Sequence, residues 1–413
     1  MANIYVKAIG TGSQSGTSWA NAYGKSKLYD LLNNAHADAV SAGDTIFLGW
    51  QHNDDWGLTE QIEVTVNGAV DNYIRIIGCE MSFRGYNTLG NNPRLYNQEA
   101  IALIDKAIES NANTYYGSGG MYFPNNINYI HVENIWFDRS DGLTFDGEVT
   151  NLTVKNCKFT KTSNGVRLNG GGSDIYIEGL TSKAIKYLVF LRDVDGVTVN
   201  NCVADNDSME IYDFPVGFAC DGTSTNIVYN NCIARNFTQH DRTGDPDDDV
   251  YSQGDGWTAE TGTSNITYNK CQAINCTDGG WDIKATNVTW NDCLAINCNK
   301  SWRVWNDDAA LFNNCKSYNT RKDRDASEVL SFPGSGGTSA TMNNCYLEQN
   351  DPNTSFFNFT DGSGTTLTLN NCVLVEKFPA SDIPLYSSFG ANDTRILVNT
   401  TVRGTVTNET VNG

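Results

Sequence analysis

The sequence contains no run of 18 apolar residues, so no membrane-spanning helix is expected. Charged residues are scarce at 18%, which argues against a disordered chain or a coiled coil. Proline is rare, with 8 in 413 residues, and histidine rarer, with 4. Those four, His36, His52, His131 and His240, show no arrangement with a nucleophile. Cations are outnumbered: 28 Lys and Arg stand against 48 Asp and Glu, a formal net charge of −20. A surface of that sign repels phosphate backbones, so no nucleic-acid partner is expected. The opening residues, MANIYVKAIG, lack the charged and apolar regions of a secretory signal. The expected setting is extracellular, either secreted with the signal removed or carried on a virus particle. No Cys-x-x-Cys pair occurs among the 12 cysteines, so they read as small buried hydrophobes rather than zinc ligands.

What the sequence does have is a repeat. From residue 128 one phrase recurs eleven times, from NYIHVENIWF through NLTVKNCKFT, GVTVNNCVAD and NVTWNDCLAI to RILVNTTVRG. Its cysteine slot falls at Ile135, Cys157, Leu180, Cys202, Cys232, Cys271, Cys293, Cys315, Cys345, Cys372 and Thr401. The shortest gaps are 22 to 23 residues, and longer ones mark inserted loops. Each phrase alternates apolar and polar residues, the pattern of a half-buried strand. One such unit cannot close a core, but a stack of them can. The fold expected is all-β: a single-stranded right-handed parallel β-helix of about eleven or more coils.

An asparagine precedes many of the slots, at Asn134, Asn156, Asn201, Asn231, Asn314, Asn344 and Asn371, and is expected to form a hydrogen-bonded ladder at a bend. Sequons at Asn151, Asn265 and Asn287 fall in or beside strands and read as by-products of the repeat. Residues 1–127 differ and are expected to form an N-terminal cap and the first coils. There the stretch 25–42 places Leu28, Leu31, Leu32, Ala35 and Val40 on one helical face, suited to covering the end of a core. Residues 128–405 carry the repeats as one domain, and 406–413 form a tail.

The longest gap, 39 residues, carries an acidic insertion over 236–256, NFTQHDRTGDPDDDVYSQGDG. Loops inserted in a rigid scaffold commonly carry function. Clustered carboxylates suit a hard cation such as Ca²⁺, or form a solvated acidic loop. An EF-hand is excluded, because its sixth position is Val250 and its twelfth Gly256. Beside the insertion, GFACD, GWTAE, GWDIK and SWRVW align on Phe218, Trp257, Trp281 and Trp302, all expected to point inward. Two outward columns follow: Ala219, Thr258, Asp282 and Arg303, then Asp221, Glu260, Lys284 and Trp305. This mixture of charge and aromatic surface suits a sugar polymer, or else forms an ion-pair ladder of Glu260 with Lys284 and Asp282 with Arg303.

On Asp255-Gly256-Trp257 and Gly280-Trp281-Asp282, residues 232–284 resemble family 9 of the polysaccharide lyases, the calcium-dependent pectate-lyase-like β-helices. The resemblance implies cleavage of an acidic, uronate-containing polysaccharide. It implies Ca²⁺ held by Asp241, Asp245, Asp247, Asp248 and Asp255, with Asp221 from the preceding coil. Where the family has its catalytic lysine this chain has Glu260, and the only lysine in register is Lys284. In elimination, Ca²⁺ acidifies the proton beside the uronate carboxylate, Lys284 removes it, and Arg303 steadies the developing charge. In hydrolysis, Glu260 is the acid, with Asp282 or Asp221 as base or nucleophile. Trp305, Arg167 and His240 are expected substrate contacts. A third reading is a non-catalytic glycan-binding rod on a virus or cell surface. The expected assembly is a monomer, or a trimer if virion-borne.

Overall fold

Alternation drives one side of each phrase into a core, and in the computed structural model of this chain the phrases are strands that stack in parallel. The structure describes residues 1–50, 57–58, 61–80, 94–97, 120–208, 214–238, 254–305, 309–320, 327–334, 337–350, 355–359, 364–377, 383–384, 386–387, 392–403 and 406–407. The chain is a right-handed parallel β-helix with a short helix near its N-terminus. Its contacts divide it into residues 1–198 and 199–413, each described by itself.

In the first unit, strands Asn3–Lys7, Thr45–Trp50, Ile74–Glu80, Ile127–Glu133, Val149–Lys155 and Gly172–Glu178 follow one another in a single sheet. The helix covers only Lys27–Leu32, not 25–42. Asn33 turns extended, and its side chain accepts the amide of Ala35, a local bond that competes with a further helical turn. Leu28, Leu31, Leu32 and Val40 are still buried, while Ala35 is exposed.

In the second unit each full coil carries three strands. Thr225–Asn230, Ser264–Asn269, Thr286–Asn291, Ala310–Asn313, Ser339–Asn343, Thr366–Asn370 and Thr394–Val398 stack on one face. Short strands such as Gln272–Ile274 and Leu294–Ile296 form the second. The third holds Val216–Asp221, Asp255–Ala259, Gly279–Ile283, Lys300–Val304 and Glu328–Phe332. Two aromatic stacks fill the interior. Phe218, Trp257, Trp281 and Trp302 run along the third face, and Tyr229, Tyr268, Trp290 and Phe312 along the first.

The bend residues divide their work differently from the sequence reading. The position before the cysteine slot is left-handed in coil after coil, with φ of 51° at Asn156, 53° at Asn201, 54° at Lys270 and 56° at Asn314. Asparagine tolerates that conformation best among residues with a side chain. The unbroken ladder lies one residue earlier. Asn230, Asn269, Asn291, Asn313, Asn343 and Asn370 each donate to the amide oxygen one coil back, at 2.7–2.9 Å, starting on Asn200. The last slot also moves by one. Val373 pairs with Thr401, so the residue matching Cys372 is Thr400, whose hydroxyl donates to the carbonyls of Leu369 and Val398. All twelve cysteines are buried thiols without a disulfide.

Candidate functional site

The third face of the second unit positions the site. Phe218 pairs with Trp257, Trp257 with Trp281 and Trp281 with Trp302, so the tryptophans stack inward and lock the register of what faces out. Glycine is required beside them. A Cβ on Gly256 would meet the carbonyl of Gly280 at 2.8 Å, and one on Gly280 the carbonyl of Ser301 at 2.7 Å. These positions point into the core against Ala234 and Ala273.

Outside, Thr258, Asp282 and Arg303 follow one another in register. Backbone bonds from Glu260 to Cys220, Lys284 to Ala259 and Trp305 to Ile283 set Asp221, Glu260, Lys284 and Trp305 in the neighbouring column. The structure thus brings together Glu260, Asp282, Lys284, Arg303 and Trp305. Lys284 Nζ donates to both oxygens of Glu260, at 2.8 and 3.0 Å, and lies 3.9 Å from Asp282 Oδ2. It also sits 5.7 Å from the centre of the Trp305 ring. Asp282 accepts the Trp305 indole N–H at 2.5 Å and stands 3.4 Å from Arg303.

The sequence reading missed Asp278. It is fully buried, forms a close ion pair with Arg303, and lies 3.8 Å from Lys300 Nζ. Its signal was present in the Asp278-Gly279-Gly280-Trp281 run, where it sits one residue outside the aligned motif. Next to it, Asp255 accepts the amide of Gly279 at 2.7 Å. Burial, and then the charges of Asp278 and Asp282, push the Asp255 carboxyl well above the ordinary carboxylate range, against the pull of Arg303 and that amide. Burial lowers the Lys284 amine, but its bond to Glu260 and the charges of Asp282, Glu260 and Asp255 outweigh this and leave it raised. A raised amine is protonated at neutral pH, which opposes its expected role as base. Glu260, doubly bonded to that cation, is likewise ill placed to act as the acid.

The expected cation set is not one cluster. Asp241, Asp245, Asp247, Asp248 and His240 lie outside the described residues. Asp255 is aligned with Val216, at the far end of the strand that ends in Asp221. Their backbones are therefore roughly 16 Å apart along the sheet, too far for the two side chains to share one ion with oxygens at ~2.3–2.6 Å. Among the described residues, no group of three or more His, Cys, Asp or Glu is arranged to hold a metal. Arg167 belongs to the first unit, where its Nε donates to Asn169 at 3.0 Å.

No family model and no curated protein matches this sequence. Among solved structures the chain is similar to a GH136 lacto-N-biosidase from Eubacterium ramulus, with a TM-score of 0.51 and 11% identity over 98% of this chain and 68% of that one. It is matched at a TM-score of 0.45 and 11% identity to DFA-IIIase from Arthrobacter chlorophenolicus A6, over 90% of this chain and 89% of that one. The pectate lyase Pel9A is matched at 0.32 and 13% identity, over 97% of this chain and 78% of that one. At 11% identity the likeness to the lacto-N-biosidase carries the fold alone and no activity.

Proposed function

We propose that this chain cleaves a glycosidic bond of a polysaccharide by acid-assisted hydrolysis, with Asp255 as the acid and Asp282 as its partner. What supports this reading is the buried Asp255 carboxyl, whose pKa is pushed well above the ordinary carboxylate range by burial and then by Asp278 and Asp282. A neutral carboxylic acid next to an ionised carboxylate is the pairing that glycoside hydrolysis uses. Asp255 is aligned with Gly279, three residues before Asp282 on the next coil, so the two backbones are roughly 11 Å apart. That backbone spacing is wider than the ~5–5.5 Å carboxyl separation of a nucleophile pair, so the pair is read as one that works through a water. Asp278 holds Arg303, and Arg303 in turn faces Asp282, which orients that carboxylate. Lys284, Glu260 and Trp305 form a half-exposed rim on which a sugar can stack and hydrogen-bond.

The lyase reading keeps one specific support: Lys284 is the amine on the exposed column, between Asp282 and Trp305. Elimination, calcium at the acidic insertion and a secreted or virion-borne setting belong to that second reading. One digest separates them. The protein is incubated with neutral and uronate polysaccharides, with calcium or chelator, while reducing ends and unsaturated sugars are followed. Hydrolysis gives reducing ends without unsaturation, and Asp255→Asn lowers the rate by ~10²–10⁴-fold. Unsaturated product that needs calcium and is lost in Lys284→Ala would replace this proposal by elimination. Binding without any cleavage would leave the glycan-binding rod.

A further inference from the structure

Among the described residues of the candidate site, every cation is already held by a carboxylate. Lys284, on the half-exposed column, gives two of its three N–H donors to the two oxygens of Glu260, at 2.8 and 3.0 Å. Its Nζ also lies 3.9 Å from Asp282. Arg303 is buried between Asp278 and Asp282, and Lys300 stands 3.8 Å from Asp278. Glu260, Asp278 and Asp282 thus balance the three cations, and Asp221 adds a further carboxylate to the outer column. Trp305 supplies the apolar part. Its ring is partly exposed. Its indole N–H donates to Asp282 at 2.5 Å, and its carbonyl accepts the Thr338 hydroxyl at 3.1 Å, so the ring is pinned from two sides. A pinned ring loses little freedom when a ligand stacks on it.

We propose that this site selects a neutral sugar chain, with Trp305 as the stacking platform and Glu260 as the residue that rejects anionic sugars by keeping Lys284 occupied. The inference names the substrate class for the hydrolytic reading above, and it rests on that reading for the place where the sugar lies. A neutral ring needs an aromatic face and partners for its hydroxyls. Trp305 gives the face, and the third Lys284 donor and the Glu260 oxygens give the partners. A sugar carboxylate needs a cation as well. Arg303 and Lys300 are sealed, with side chains 5% and 12% exposed. Lys284 can be engaged only by displacing Glu260 from two hydrogen bonds, which leaves two carboxylates facing each other over one amine. The chain's net charge of −20 adds to the penalty. Selectivity of this kind comes from what is set against the wrong ligand as much as from contacts to the right one.

The test is equilibrium titration with cellohexaose, xylohexaose and laminarihexaose as neutral probes and hexamers of galacturonate and of guluronate as anionic ones. The full chain is used, carrying Asp255→Asn so that turnover does not consume the ligand. At least one neutral hexamer is expected to bind roughly tenfold or more tightly than either uronate. Trp305→Ala should weaken that binding by roughly tenfold or more, and Trp305→Phe should retain part of it. Glu260→Gln should move the neutral-to-uronate preference toward uronate by roughly tenfold, and adding Lys284→Ala should cancel the shift. Structural damage would weaken both classes together and leave their ratio where it was, and thermal unfolding of each variant checks the fold. A uronate bound as tightly as the best neutral hexamer, no binding of any neutral hexamer, or an unchanged ratio in Glu260→Gln would overturn the proposal. Cleavage is scored separately, on the wild type. Neutral-selective binding without hydrolysis sinks the catalytic reading and leaves this one standing, whereas hydrolysis of a uronate chain in preference to neutral ones sinks this one and leaves the catalytic reading.

Discussion

At the scale of single residues, two neighbouring carboxylates should respond oppositely to removal of their charge. Asp255 has a folded-state pKa raised by burial and by Asp278 and Asp282. The folded chain therefore holds a proton that the unfolded chain releases near the ordinary carboxylate value of ~3.9. That contribution to stability is fully present below this value and drains away as pH rises through the folded one. Asp255→Asn removes the titration. Its urea midpoint relative to wild type is expected to climb between pH 4 and pH 7, and a flat difference would contradict the protonated assignment. Asp278 behaves otherwise, because its ion pair with Arg303 is buried on both sides. Asp278→Asn removes the closer of the two carboxylates that Arg303 faces and should cost up to ~3–5 kcal/mol in denaturant unfolding. Lys284→Ala removes a half-exposed pair with Glu260 and should cost at most ~1 kcal/mol.

At the scale of the coil, the restraint that bears on the site is the glycine–tryptophan step. Gly280→Ala places a methyl 2.7 Å from the carbonyl of Ser301 and 3.2 Å from Ala273 Cβ, with backbone on one side and a filled core on the other. Strand Gly279–Ile283 must shift to admit it, at ~1–3 kcal/mol. Because Asp282 lies on that strand, a fall in activity should accompany the loss in urea midpoint. An unchanged midpoint would show that the coil yields freely. The same step explains what could be read from sequence. A tryptophan recurring every 21 to 24 residues fixes which side chains face out, so Glu260, Lys284 and Trp305 could be aligned by counting. Conformation at the bends could not be counted. Asn230 and Asn231 are adjacent and chemically identical, yet one extends the ladder and the other takes φ of 52°. Thr400 and Thr401 pose the same problem in the last coil, where only strand pairing distinguishes them. The helix stopped early because Asn33 bonds to its own turn, which hydrophobic periodicity does not register. Asp278 escaped notice because its importance comes from burial against Arg303, a contact 25 residues away in sequence.

For the molecule as a whole, the net charge of −20 sets a long-range field that local arginines do not cancel. A uronate polymer carries the same sign. At ~0.01 M ionic strength the field reaches ~30 Å, and at ~0.15 M only ~8 Å. Approach of an acidic polymer is therefore slowed at low salt, while short-range contacts at Trp305 are little affected. The rate constant kcat/KM on a uronate polymer should rise severalfold as salt increases over that range, whereas a neutral polymer should show a nearly flat response. Stopped-flow binding would place the effect in the association rate. If kcat/KM on the acidic polymer instead falls with salt, local cations govern encounter, and the excess of Asp and Glu must be turned away from the approaching chain. A flat response to both polymers would mean that neither sign of charge is used, and the substrate class would then have to be neutral.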